Sequence, residues 1–226
     1  IRQEKDSLLV SAWDVANQRR VGWRTKRVIF AGPQHVARHV IEGFGEARPA
    51  GTRIRNAPWM VANLTLRARP KEPTFPLAWD NVLRDSEALG YVVATHQSLR
   101  DHGPTVWTWY RPFAGADCDA ERARLRALDW PACARLVMDD LRPAHPDLEG
   151  LVTRLDVMRG GHARVRPAPG LLWDSGFLAL ARPFGAIHFA HTELSGFSLF
   201  EEAQDHGLRA AEEVLAGLGH PGATWR

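Results

Sequence analysis

"FAHTELSGFSLFEEAQDHGLRAAEEVL", residues 189–215, is the stretch on which the reading of this chain turns. An apolar run ends in a polar knot, His191, Thr192 and Glu193, and a long amphipathic segment follows. Ser198 and Glu201 have the spacing of a capping box, and Leu199, Ala203, Gly207, Ala210, Ala211, Val214, Leu215 and Leu218 form an apolar stripe. The pattern predicts a strand at 186–191 and a helix from Ser198 onward. A strand entering a helix through small residues offers unpaired N–H groups and the positive end of the helix dipole. Such a junction suits a phosphate, or a ring that gains negative charge on reduction. Glu193 repels a bare phosphate but accepts hydrogen bonds from ribose or ribityl hydroxyls, so the knot points to a nucleotide-type cofactor held lengthwise.

Working outward, "SLLVSAW" (7–13) reads as a strand, and "RRVGWRTKRVIFAGP" (19–33) as one or two more, ending where Gly32 and Pro33 let backbone approach a ligand. "QHVARHVIEGFG" (34–45) carries Val36, His39, Val40 and Phe44 at helical spacing. "APWMVANLTLRA" (57–68), "LGYVVATHQ" (89–97) and "TVWTWYRPF" (105–113) alternate and are rich in aromatic and β-branched residues, which predicts antiparallel strands. Two helical segments follow, the second opening on Pro131 at its favoured first-turn place. "HPDLEGLVTRLDVMR" (145–159) leads by a turn into another strand, and "GGHARVRPAPG" (160–170) reads as an irregular loop. The class is mixed α/β.

The chain has 226 residues, 45% apolar and 24% charged, with no apolar run long enough to cross a bilayer. Net charge is +3, and all but Lys5, Lys26 and Lys71 of the 29 cationic residues are arginine, spread along the chain. Nucleic-acid binding calls for a basic patch with interleaved aromatics, which is not present. Cys118 and Cys133 lack CxxC spacing, and no secretory signal opens the chain, so reduced thiols and a cytoplasmic location are expected. The start at Ile1, in the charged string "RQEKDS", reads as the middle of a fold and leads to the expectation of a fragment or split polypeptide. Nine tryptophans serve either core or cavity. Trp107 and Trp109, two apart on one strand, share one fate, and core is the expectation.

"VIFAGP", "PWMVANLTL", "AWDNV", "GYVVATHQ", "TVWTWYRP", "GHARVRPAPG" and the closing stretch resemble, in that order, the carboxy-terminal half of FAD-dependent oxidoreductases of the flavin amine oxidase type. The resemblance implies that residues 1–48 and 159–226 belong to a glutathione-reductase-like FAD-binding domain. It implies that 49–158 form a substrate-binding domain on a mixed, largely antiparallel sheet. It assigns Ala31, Gly32, Pro33, Thr192, Glu193, Leu194, Ser195, Gly196 and Phe197 to FAD. His162 becomes the candidate acid or base of the reaction, and Arg164, Arg166 and Trp59 the candidate contacts to a small-molecule substrate. The reaction implied is hydride transfer from an organic substrate, an amine among the options, to flavin N5.

Departures from that pattern carry their own expectations. The strand, GxGxxG turn and helix that would grip the ADP half of FAD are not found, since "GHPGATW" neither follows a strand nor opens a helix. The amino-terminal segment is thus the expected partner, and this polypeptide alone is expected to bind FAD poorly or not at all. "WMVANLTL" has no lysine to hold a water at flavin N5, so a dehydrogenase, desaturase or isomerase-like flavoprotein fits as well as a simple amine oxidase. The alternatives are a non-catalytic binding module and, on "GFSLF" (196–200) with Asp205 and His206, a serine hydrolase using Ser198. Phe200 stands where that elbow needs a small residue. His35 and His39 give two metal ligands at most, so no metal site is expected.

Overall fold

The computed structural model describes residues 1–49, 54–72, 76–98, 100 and 102–220. The chain divides into two compact units, one made of Ile1–Arg55 with Val165–Arg226 and the other of Asn56–Arg164. The first unit opens with β1 (Arg2–Gln3), β2 (Leu8–Asp14) and β3 (Arg19–Thr25), an antiparallel sheet in that order with Val10 opposite Trp23. β4 (Val28–Phe30) follows, then the short helices α1 (Gln34–Val40) and α2 (Phe44–Ala47). The face that α1 buries differs from the expected one. Ala37, Ile41 and Phe44 enter the core, whereas Val40 is 39% exposed and His39 faces outward.

In the second unit, β5 (Asn56–Leu66), β6 (Asp80–Asn81), β7 (Gly90–Val93), the helical turn α3 (Thr95–Ser98) and β8 (Thr105–Pro112) come first. Then come α4 (Cys118–Ala127), α5 (Trp130–Leu141) and β9 (Val152–Val165), and the sheet runs β6-β7-β8-β5-β9. The predicted strand over 89–97 is half strand and half helix, because the backbone turns at Ala94. Period-two alternation divides the sheet's faces. Met60, Ala62, Leu64 and Leu66 of β5, with Trp107 and Trp109 of β8, are fully buried and share a core with Leu125, Cys133, Val137 and Leu141 of the two helices. Both tryptophans are therefore core residues. Trp59, Val61, Thr108 and Tyr110 line the other face, only partly covered. Each helix begins on an aspartate: Asp117 accepts the N–H groups of Asp119 and Ala120, and Asp129 that of Ala132, with Pro131 in the first turn.

Residues 160–165 are the main departure from the sequence reading, since they continue β9 rather than forming a loop. Gly160 and Gly161 signal a break in isolation, but Arg122 reaches across to hold the strand. Its guanidinium donates to the carbonyls of Gly161 at 2.8 Å and Asn56 at 3.2 Å. A Cβ on Gly160 would lie 2.9 Å from that of Ala163, so the glycine permits a local fold of the strand on itself. Gly90 is required for another reason. At φ +119° its missing Cβ would fall 2.0 Å from the Asn81 carbonyl oxygen.

A buried polar pair sits in the second unit's core. The Tyr91 hydroxyl lies 2.6 Å from His145 Nε2, and burial pushes the phenol up to about 12. Tyr91 thus donates and His145 accepts. Burial pulls the imidazole below its ordinary value, opposed by the charges of Asp147 and Glu72. The native state then binds fewer protons than the unfolded chain, so stability is full above about 6.5 and is lost as pH falls from there toward the lowered native value. Urea unfolding between about pH 7 and 5 should show this loss, and His145→Gln, which keeps an acceptor for Tyr91, should reduce the slope. An unchanged slope in the variant would assign the effect elsewhere.

Candidate functional site

The site in the first unit arises where two parallel strands leave their sheet at the same end. β10 (Ile187–Phe189) pairs with β4 in parallel, Phe189 opposite Phe30, and the Ala190 N–H extends the ladder to the Phe30 carbonyl. β4 exits through Ala31, Gly32 and Pro33 into α1. β10 exits through His191 into a 3-10 turn over Thr192–Ser195. In open parallel sheets ligands settle outside these carboxyl ends. Glu193 ties the two exits together. Its carboxylate, 2% exposed, accepts the Gln34 N–H at 2.8 Å, the first donor of α1, where Pro33 offers no side-chain cap. His191 Nδ1 in turn accepts the Glu193 N–H at 3.2 Å, which makes the ring neutral. Burial lowers its pKa further against the opposing pull of the Glu193 charge.

Beside this carboxylate is the most informative polar group. The Gln34 side chain is 2% exposed, and neither its amide nitrogen nor its amide oxygen has a partner. A buried amide with donor and acceptor both unmet costs several hydrogen bonds' worth of desolvation unless a ligand or water answers it. A chain of hydroxyls, each donor and acceptor, answers both the amide and the carboxylate. The residues present therefore fit the ribose or ribityl portion of a nucleotide-type cofactor.

The loop from Thr192 to α7 (Phe200–Gly217), the next helix after α6 (Ser175–Leu178), is braced from within. The Thr192 hydroxyl meets the Phe197 carbonyl at 2.5 Å and accepts the Leu199 N–H at 3.1 Å, so it works as a strut. Leu194 packs in the core, and Gly196, at φ +74°, leaves no room for a Cβ, which would lie 2.9 Å from Leu172 Cδ2. Phe197 is 42% exposed. The capping box is not formed. Ser198 Oγ accepts the Val165 N–H at 2.9 Å, and α7 starts two residues later with no side-chain cap. Glu201 and Glu202 in its first turn complement the helix dipole, so this end offers N–H donors more than positive potential.

Arg209 fixes α7 against its surroundings. Its guanidinium donates to the carbonyls of Phe189 at 2.6 Å and Ala181 at 3.0 Å and pairs with Glu213 at 2.7 Å. It also donates to His206 Nδ1 at 3.4 Å. The other nitrogen, Nε2, then carries the proton and donates to Ser195 Oγ at 2.8 Å. Ser195, which receives this proton, is not activated by the imidazole, and the Ser198 hydroxyl accepts the Val165 N–H.

The second unit carries a hollow of about 530 Å³ on the open face of its sheet, within the range of small-molecule sites. Trp59 and Tyr110 stack at 11° with centroids 6.3 Å apart, and the Arg164 guanidinium lies 4.8 Å from the Trp59 ring. Val61, Leu89, Thr108 and Ala163 complete the lining. Of the substrate candidates, Trp59 and Arg164 meet here. His162 is exposed on β9 outside the lining, and Arg166 belongs to the other unit, where its N–H donates to the Arg55 carbonyl at 2.6 Å. Sequence reasoning missed Gln34, Leu89 and Arg209. Leu89 opens a predicted strand, but nothing local places it at the hollow, and the partner of Gln34 is 159 residues away. Among the described residues no group of three or more His, Cys, Asp or Glu is placed to hold a metal, and no helix is long and apolar enough to cross a membrane.

No protein-family model matches this sequence, and no curated protein matches it. Solved structures do. The fold is similar to that of cyclohexylamine oxidase from Brevibacterium oxydans IH-35A, at TM-score 0.66 and 14% identity over 96% of this chain and 47% of that one. It is also similar to a mutant putrescine oxidase from a structure-based redesign of cofactor binding, at TM-score 0.64 and 11% identity over 96% and 47%. The wild-type putrescine oxidase bound to putrescine gives TM-score 0.58 at 11% identity, over 95% and 47%. The chain spans about half the length of these neighbours and has the fold of that part of them.

Proposed function

We propose that this chain is part of an FAD-dependent oxidoreductase that takes hydride from an organic substrate. The observation that carries the reading is the buried Glu193 carboxylate joining two parallel strand exits beside an unanswered Gln34 amide. The unit of Ile1–Arg55 and Val165–Arg226 is assigned to a glutathione-reductase-like FAD-binding domain, and Asn56–Arg164 to substrate binding. Glu193 and Gln34 would hold hydroxyls of the ribityl or ribose chain. Ala31, Gly32 and Pro33 would bring backbone alongside the cofactor, while Ser195, Gly196 and Phe197 approach the ring. Thr192 and Leu194 would act by fixing the loop, one through its strut and the other through core packing. The flavin, when bound, supplies the hydride acceptor at N5; the protein supplies orientation and exclusion of water. His162 remains the candidate for moving a proton, and the aromatic hollow the candidate for seating the substrate. A strand, GxGxxG turn and helix would hold the adenosine end.

Titration of the 226-residue chain with riboflavin and with FAD, followed by flavin fluorescence, tests this reading. Saturable binding of both, with FAD gaining little over riboflavin, is expected, because the contacts assigned here address the half that the two share. Riboflavin binding that Glu193→Ala leaves unchanged, or FAD binding more than about tenfold tighter than riboflavin, would overturn it.

A further inference from the structure

We infer that the Ser195 hydroxyl donates a hydrogen bond to an acceptor on the polar edge of the flavin ring, with His206 and Arg209 as the residues that position it; this rests on the oxidoreductase reading above. One chain of contacts fixes the protons. His188 Nδ1 of β10 lies 2.8 Å from Glu213 Oε2, and Glu213 Oε1 accepts from Arg209 at 2.7 Å. Two guanidinium nitrogens of Arg209, Nε at 3.4 Å and Nη2 at 3.3 Å, converge on His206 Nδ1. A guanidinium has donors only, so Nδ1 supplies the lone pair and Nε2 keeps the single proton of the neutral ring. Burial first, and then the Arg209 charge, hold His206 below its ordinary value, against the pull of Asp205 and Glu202. The proton on Nε2 goes to Ser195 Oγ at 2.8 Å.

That bond decides what the serine has left to offer. A hydroxyl holds one proton and two lone pairs. His206 takes one lone pair, and among the described residues no acceptor meets the proton. The turn over Thr192–Ser195 does not need this network as a brace, since the Thr192 hydroxyl already bridges it to Phe197 and Leu199. The buried His206, held by Arg209, instead fixes the direction of one half-buried hydroxyl beside the strand exits. On the polar edge of a flavin ring, N5 and the two carbonyls accept, and the imide N–H alone donates. The turn thus presents an acceptor at Glu193 and a donor at Ser195, the order in which a flavin presents its chain of hydroxyls and then its ring acceptors.

Lumiflavin carries the ring without the ribityl chain, so fluorescence titration of the 226-residue chain with lumiflavin and with riboflavin reads the two parts separately. Ser195→Ala should weaken both by about five- to tenfold, the loss of one hydrogen bond. Glu193→Ala should weaken riboflavin far more than lumiflavin. His206→Leu removes the donor behind the serine and should match Ser195→Ala. The His206→Gln amide can still accept from Arg209 and donate to Ser195, so affinity should return to within about twofold of the parent chain. Raman bands of the bound ring's carbonyls and C=N bonds give a signature that a merely loosened turn would not move, and at least one should shift in Ser195→Ala. Unchanged lumiflavin affinity in Ser195→Ala, no saturable lumiflavin binding to the parent chain, unshifted bands, or His206→Gln no better than His206→Leu would each overturn the inference. If Glu193→Ala weakens riboflavin while Ser195→Ala does not, the cofactor reading stands and only the serine's role falls. The reverse pattern removes the ribityl assignment and leaves the ring donor.

Discussion

Replacing Trp109 by alanine is expected to destabilise the second unit by about 3–5 kcal/mol, the range for emptying a buried large aromatic site. The side chain is fully buried between the sheet and α5, so the surrounding core cannot close over the space without moving both layers. A second loss compounds the first. The indole N–H donates to Asp140 at 2.7 Å, and the other Asp140 oxygen accepts the Ser86 hydroxyl at 2.6 Å. Removing the indole leaves a part-buried carboxylate oxygen without its donor. Trp109→Phe keeps most of the volume and loses the N–H, so it should cost about 1–3 kcal/mol. Trp59→Ala, on the open face, should change stability by less than either. Because the chain has two compact units, amide hydrogen exchange of β5 and β8 is the appropriate readout. Equal effects for Trp59 and Trp109 would contradict the division of the sheet's two faces.

That division was legible in the sequence, because alternation is a local property and Trp107 and Trp109 had to share a face. The helices α4 and α5 were legible from their local pattern, α5 with its proline in the first turn, while their aspartate caps came to light only in the structure. Features held by distant partners were not legible. Gly160 and Gly161 have the composition of a loop, and only Arg122, on another element, turns them into strand. Ser198 and Glu201 match a capping pattern, yet the serine is drawn to the Val165 N–H, which the fold brings there and the local sequence does not reveal. The knot at Thr192 and Glu193 was visible as a junction, whereas its pairing with Gln34 required the parallel register of β4 and β10. The resemblance to flavin amine oxidases carried the fold further than periodicity did, and the solved neighbours support that coarse outline.

The same pairing sets up the second large effect. Glu193→Ala removes a carboxylate that caps α1 from 159 residues away, leaving the Gln34 N–H unanswered next to an already unanswered amide. A loss of about 1–3 kcal/mol in the first unit is expected from that donor alone. If Glu193 also receives cofactor hydroxyls, flavin affinity should fall much further than stability, by roughly a hundredfold for two charge-assisted bonds. Glu193→Gln separates the two roles. Its amide oxygen still accepts the Gln34 N–H, so thermal stability should return most of the way to that of the parent chain. The negative charge that strengthens bonds to hydroxyls does not return, and flavin affinity should stay at least about tenfold below the parent value. Flavin titration and thermal unfolding of both variants read the two roles independently. A fall in stability with unchanged flavin affinity would make Glu193 a helix cap and nothing more, and would move the cofactor assignment away from the knot.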